Sequence, residues 1–243
     1  MKLVIILSAL LLITSCSNKL QSEFKGDIES ISEKTYSCTE KFGEPIKDKL
    51  REGSSYHFTN NNIIKYELYN DEGEKKYSSE TTYQNDKPVF KETGNLEYDT
   101  ITNDFIFIKT SQKLLDRNSI SEKWLNDKGD TIFCDLDKDG YVRTQKWKDD
   151  KGIVYTHETI RDKDKNMFKF KLSINNKPYS IVKTEFDKNY FKIKEETENI
   201  EYKWTKSLTY KYKTDNIGNW IERITYDDDT PTAITFREII YNK

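Results

Sequence analysis

The sequence predicts an all-β protein: consecutive antiparallel β-hairpins forming one long curled sheet, preceded by a signal peptide and a short polar tether. Three observations predict it. Large apolar residues alternate with charged ones in stretch after stretch, the pattern of a strand wet on one face. Turn sequences ending in glycine or proline recur between these stretches. Beyond the leader no apolar run is long enough to read as a strand buried on both faces, as a parallel sheet would need.

Composition bounds the chain in the same direction. Of 243 residues, 35% are hydrophobic and 13% aromatic, with 16 Tyr, 12 Phe and 4 Trp. That aromatic content is too high for a disordered solvating chain, while the low hydrophobic share predicts a thin core. Nine Gly and 4 Pro exclude collagen-like and low-complexity architectures. Acids (42) nearly balance bases (40), for a formal charge of −2, so no electrostatic footprint for nucleic acid exists.

The first element, residues 1–15, reads as a targeting segment. Lys2 precedes an apolar run from Leu3 to Ile13, which is too short to span a bilayer and ends in Thr14, Ser15 and Cys16. The stretch Leu12-Ile13-Thr14-Ser15-Cys16 resembles a bacterial lipoprotein signal. The resemblance implies cleavage before Cys16, lipidation of its thiol and acylation of the new amino group. Ser17 in the following position implies sorting to the outer membrane. The mature protein would then hang from its lipids rather than span the bilayer.

Residues 16–35 are polar and read as a tether, with a helical hint from the spacing of Ile28 and Ile31. Residues 36–243 read as the hairpin domain. Phe168, Phe170, Leu172 and Ile174 alternate with Lys169, Lys171 and Ser173. Ile64, Tyr66 and Leu68 share a parity, as do Ile200, Tyr202, Trp204, Leu208, Tyr210 and Tyr212. Ile234, Phe236 and Ile240 close the series, and each such set is expected on the core face of its strand.

The turns are of two kinds. One places acidic or Asn residues ahead of glycine: Asn70 to Gly73, Asn126 to Gly129, Asp137 to Gly140, Asp149 to Gly152 and Asp215 to Gly218. Here Gly140 and Gly152 are expected at positive φ, where a Cβ is costly. The other ends in proline: Asn85 to Pro88, Asn175 to Pro178 and Asp228 to Pro231. Proline cannot donate to a ladder, which suits a hairpin end.

This punctuation resembles a known group. Tyr212-Lys213-Thr214-Asp215-Asn216-Ile217-Gly218-Asn219-Trp220, followed by Arg223-Ile224-Thr225-Tyr226 and Arg237-Glu238-Ile239-Ile240-Tyr241, looks like the tyrosine–aspartate (YD/RHS-like) repeats of bacterial surface and secreted proteins. Similar units recur in lipoproteins of the Bacteroidetes. The resemblance implies a hairpin-repeat sheet in the cell envelope and brings no catalytic residues with it.

Candidate sites are few. Cys38 and Cys134 either form one disulfide or remain two separate thiols. Asp135, Asp137 and Asp139 occupy alternate positions ahead of Gly140, as in half of a calcium loop, but Lys146 stands where a closing bidentate Glu belongs. His57 and His157 match no zinc or triad pattern, and no phosphate loop, dinucleotide fingerprint or nucleophile elbow is present. No cofactor is implied. Trp147, Tyr155, Trp204 and Trp220 are candidate binding aromatics, with a role in the core as the competing reading. The expected function is a non-catalytic, lipid-anchored binding module for a protein or glycan partner. The alternatives are a lipocalin-like carrier of an apolar ligand and an immunity-type lipoprotein that neutralises a toxin.

Overall fold

The computed structural model describes residues 24–242 apart from 61, 86, 100–103, 119, 127–128, 139–141, 150 and 163–165. Sixteen strands follow one another. The first six are β1 (Ile28–Lys41), β2 (Glu44–Thr59), β3 (Asn62–Asn70), β4 (Lys75–Gln84), β5 (Lys87–Asp99) and β6 (Asp104–Arg117). Shorter strands follow: β7 (Ser121–Asn126), β8 (Thr131–Leu136), β9 (Val142–Lys148), β10 (Val154–Asp162) and β11 (Met167–Ile174). The last five are β12 (Lys177–Phe186), β13 (Lys192–Asn199), β14 (Trp204–Thr214), β15 (Trp220–Asp227) and β16 (Thr230–Tyr241). Each pairs antiparallel with its sequence neighbours, and β16 pairs with β1. The sheet is therefore a closed barrel, not the open curled sheet expected from sequence, and closure removes both unpaired edges.

Up-and-down order fixes two ends. Phe24, Asn242 and the turns after even-numbered strands lie at one end, here the proximal end; the turns after odd-numbered strands lie at the distal end.

The seam between β1 and β16 is made by side chains as well as by the ladder. Glu33 stands opposite Arg237, whose Nε and Nη2 donate to Oε1 at 2.8 and 2.6 Å. Ser54 on β2 donates to the other carboxylate oxygen, and Thr35 meets Thr235 at 3.1 Å. Arg237 lies flat over Trp220, 3.3 Å from the ring centroid. Partners across a ladder share a face, so the register carries one assignment round the barrel. Glu33, Tyr56, Tyr66, Tyr77, Gln112, Trp124, Gln145, His157, Leu172, Tyr210 and Arg237 face inward.

Outward-facing residues include Lys34, Lys65, Glu80, Glu92, Lys109, Lys146, Lys171, Lys183, Glu196, Lys211 and Glu222. Several pair along the wall, as in Lys109–Glu92 at 2.7 Å, Lys194–Glu196 at 2.8 Å and Lys213–Glu222 at 2.8 Å. Exposed pairs of this kind contribute little to stability. Their significance is the medium they require. A Lys or Arg on the lipid face of a spanning barrel costs about 2–4 kcal/mol near the midplane. A wall charged on nearly every strand would carry that cost many times over inside a bilayer.

The core is split between two places on the inner face. Trp124, Ile132, Cys134 and Val142 are buried together on β7 to β9, with Leu114, Leu136 and Trp147 around them. Ile28, Ile31 and Phe58 form a second cluster at the proximal end, joined by Phe24, Tyr56, Ile239 and Tyr241.

Three sequence expectations are corrected here. The segment read as tether is strand from Ile28 onward; a bulge between Ile28 and Ser30 turns Ile28 and Ile31 to one face, so a strand irregularity imitated helical spacing. Ile234, Phe236 and Ile240 face outward, because Thr235 and Arg237 take the inner face of β16. Ile200 and Tyr202 belong to a turn, and β14 begins only at Trp204.

The turn chemistry follows the expected lines. In the first kind a side-chain oxygen caps the turn: Asp215 Oδ1 accepts from the backbone N–H groups of Ile217, Gly218 and Asn219. Asn70 and Asp149 do the same, and Gly73, Gly152 and Gly218 adopt positive φ. Gly140 lies outside the described residues. The second kind is a two-residue turn with both φ positive, as at Asn175-Asn176 and Asp228-Asp229. Its proline falls one residue into the next strand, where Pro88, Pro178 and Pro231 each meet a register shift that relieves the ladder of their missing donor.

A further capped turn escaped the sequence pattern because it has no glycine. Asp187 Oδ1 accepts from the N–H groups of Asn189 and Phe191, and Tyr190 holds φ +63° where the others have Gly. Replacing Tyr190 by Gly removes that left-handed strain. Tyr190→Gly should stabilise the fold by about 1 kcal/mol, read from the denaturant midpoint; an unchanged or lower midpoint contradicts the turn assignment. At the seam, Arg237→Met leaves the largely enclosed Glu33 carboxylate without its main counter-charge. It should cost about 3–5 kcal/mol, and Glu33→Gln in the same chain should recover part of that loss.

Candidate functional site

Two regions gather the side chains capable of recognition: the inner wall and a groove in the distal half of the barrel.

On the inner wall, aromatic rings run in short files across neighbouring strands. Tyr56, Tyr66 and Tyr77 are spaced at 4.7 and 5.8 Å, and Trp147 stacks on Tyr155 at 5.2 Å with 10° between planes. His157 lies parallel to Phe170 at 5.9 Å, and Tyr212 bridges Phe191 and Trp220. Burial pushes the phenols of Tyr56 and Tyr66 well above their ordinary range, and nearby Glu33 adds to it. Polar groups stand between the rings. Glu122 is buried, accepting from Arg117 Nε at 2.7 Å and from Trp124 Nε1 at 3.0 Å. Burial holds the Lys91 ammonium down to about 8.

His157 is the most displaced imidazole. It is 6% exposed, faces Gln145 across the ladder, and burial lowers its pKa to about 4. It is therefore a neutral ring packed in an aromatic wall. His57 lies on the outer face opposite Lys65.

The groove holds about 680 Å³ and is bounded by β12 to β15. Trp204, Lys206, Ser207, Thr205, Glu196 and Asp227 contribute to its lining. Two ion pairs edge it: Lys206–Asp227 at 3.0 Å and Lys183–Glu196 at 3.6 Å. Trp204 is 41% exposed at the start of β14, and Tyr202 beside it meets Tyr179 edge to face at 6.3 Å. A groove lined by a flat indole, hydroxyls and charged donors and acceptors offers stacking together with directed hydrogen bonds.

The residues singled out from sequence disperse. Trp147 and Tyr155 meet on the inner wall, and Trp220 is buried beneath Arg237 as part of the seam. Trp204 alone of the four lines the groove. Cys38 is a free, buried thiol beyond the seam, so the Cys38–Cys134 disulfide is not formed; Cys134 sits in the Trp124 cluster on β8. Asp135 is exposed on the outer face of β8, Asp137 follows the strand, and Asp139 lies outside the described residues. Among the described residues no group of three side chains is placed to hold a metal ion. Cys16 also lies outside the described residues.

The groove and the Glu33–Arg237 pair were missed from sequence. Arg237 carried a signal: a cation sharing parity with Ala233, Thr235 and Ile239 on a strand otherwise rich in apolar residues. The groove carried none, since its residues come from four strands and are polar like their neighbours.

Neither a family model nor a characterised protein matches the chain. Among solved structures the chain is similar to a porin-like protein from Bacteroides uniformis, at 10% identity and a TM-score of 0.38, covering 89% of this chain and 99% of that one.

The neutral state of His157 sets a pH dependence. The unfolded chain takes up a proton on this ring near the ordinary value of about 6.5, whereas the folded chain resists protonation until about 4. The unfolded state therefore binds more protons across that window, and stability falls as pH drops through it, by up to about 3 kcal/mol. Denaturant midpoints at pH 7 and pH 4.5 should differ less in His157→Gln than in the parent. An identical difference in both would show that the imidazole is not buried as described.

Proposed function

We propose that this protein is a lipid-anchored binding module of the cell envelope that captures a glycan chain at the groove around Trp204. The carrying observation is the composition of that groove: a half-exposed indole with Lys206 and Asp227 from the inner-face register, and Glu196, Thr205 and Ser207 from the outer, round a cavity of about 680 Å³. Sugars present an apolar face to a flat ring and hydroxyls round their edge, so this combination fits them better than a lipid or an apolar cofactor. The Lys206–Asp227 and Lys183–Glu196 pairs fix donors and acceptors at the rim without closing it.

The charged outer wall supports an anchor outside the barrel, because strands carrying Lys34, Lys146, Lys171 and Lys183 on that face are poorly suited to the interior of a bilayer. A lipid on Cys16 supplies one. No step of chemistry is assigned: the role is recognition. Its displaced imidazole, His157, is held neutral among Phe170 and Gln145 rather than beside a nucleophile.

The test is capture of envelope oligosaccharides by the purified protein, followed through tryptophan emission and calorimetry. Trp204→Ala should abolish binding and shift the denaturant midpoint little, since Trp204 is near the surface; Trp147→Ala should leave binding intact. Retention of full affinity in Trp204→Ala overturns the groove as the site. Failure of the parent protein to bind any envelope glycan overturns the ligand class.

A further inference from the structure

We propose that the proximal rim of the barrel rests on the lipid surface, so that the barrel stands end-on with its groove directed away from the membrane. This inference rests on the reading of Cys16 as the lipidated residue. Two independent observations carry it.

The first is the distribution of exposed aliphatic side chains. Leu115, Ile120, Ile193, Ile217, Ile221 and Ile240 are all exposed, Ile120 to 68%. All six lie toward the proximal end, as does Ile160, whereas Ile46 and Ile108 are exposed toward the distal end. Leu115 and Ile240 are near the last residues of β6 and β16, Ile193 and Ile221 are near the first of β13 and β15, and Ile120 and Ile217 are in the turns between strands. Higher up, the outward positions are held by charges such as Lys34, Glu80, Lys171 and Lys183. The exposed apolar groups of the distal half are fewer: Ile46 and Ile108, with the aromatic rings of Phe42, Tyr202 and Trp204. An apolar rim below a charged wall matches the shallow apolar layer beneath lipid headgroups.

The second is where the chain leaves the barrel. Phe24 packs edge to face on Phe58 at 5.5 Å within the proximal cluster, with Arg237 over its ring. Lys25 is clamped next to it: its backbone N–H donates to Asn219 Oδ1, and Asn219 Nδ2 donates to its carbonyl, both at 2.7 Å. The Asn219 side chain also donates to the Tyr241 hydroxyl, which donates to Asp215 at 2.5 Å. Phe24 and Lys25 are therefore fixed at the proximal end. From Phe24 back to Cys16 the chain can extend at most roughly 29 Å. The longer strands, such as β1 with 14 residues, rise about 3.3 Å per residue. A tether that short holds the proximal rim near the bilayer and cannot reach round to the distal end.

The occupant of the rim is thus a phospholipid surface, reached by the same end that carries the anchor. Full-length chains carrying Ile217→Trp or Phe42→Trp, processed and lipidated in the host, are reconstituted with phosphatidylethanolamine–phosphatidylglycerol vesicles, with or without bromine on the acyl chains. Ile240→Trp serves as a second proximal reporter. Bromolipid should quench most of the emission added by Ile217→Trp and by Ile240→Trp, and leave that added by Phe42→Trp unchanged. Chains that float with the vesicles yet show no quenching at Ile217 or Ile240 overturn the rim contact and leave the anchor standing. Equal quenching at both ends overturns the end-on orientation. Chains that do not float overturn the anchor and the rim contact together.

Discussion

Closure between β1 and β16 is the constraint on which the rest of the structure depends. Side chains alternate across a strand with a period of two, so the register at one seam sets the facing of every residue in the ring. The Glu33–Arg237 pair holds that register from inside, with Ser54 on the carboxylate and Trp220 beneath the guanidinium. A slip of β16 by one residue would carry the Arg237 charge to the outer wall and leave Glu33 inside without it. A closed ring also leaves no edge strand open to another chain, which matters for a sheet of sixteen strands with few aliphatics to bury.

The consequence is a barrel with an uncommon division of polarity. The outer wall is a lattice of lysines and glutamates, and the inner wall is a mixture of aromatic rings with buried polar groups. Glu67 illustrates the outer wall at its tightest. Burial alone would raise its pKa, yet hydrogen bonds from Lys75, Tyr69 and Lys65 bring it down to about 2. This carboxylate thus supports the fold above its ordinary range near 4.5 and stops doing so as pH falls toward 2. On the inner wall the apolar clusters around Trp124 and around Ile31 occupy different strands, and hydrogen-bonded groups such as Glu122 and Asn219 fill places that a larger core would give to aliphatics.

The two ends of the barrel have different uses. The proximal end gathers Phe24 and Asn242, the Asn219–Tyr241–Asp215 network and exposed isoleucines. The distal half holds Trp204 and the paired charges of the groove. A recognition surface and an attachment point at opposite ends of a stiff ladder is an arrangement that an antiparallel up-and-down order produces without further devices, because alternate turns necessarily fall at opposite ends.

By itself the sequence determined the strands, most of the turns and the wet outer face. Phe168 to Ile174 against their lysines, Asn70, Asp149 and Asp215 ahead of glycine, and the proline turns at Asn175 and Asp228 are local signals, each complete within a few residues. Where a local signal was ambiguous it misled: the bulge at Ile28 imitated a helix, and Tyr190 hid a turn by taking a conformation usually left to glycine. Only the tertiary structure decided that the sheet closes, that β16 turns its isoleucine and phenylalanine outward and its arginine inward, that Cys38 stays a free thiol, and that Trp204 rather than Trp220 lines a groove. The reason is range. Alternation states that a strand has two faces but not which one closes on itself, and that choice rests on pairings such as Glu33 with Arg237, which are distant in sequence and adjacent only once the ring is complete.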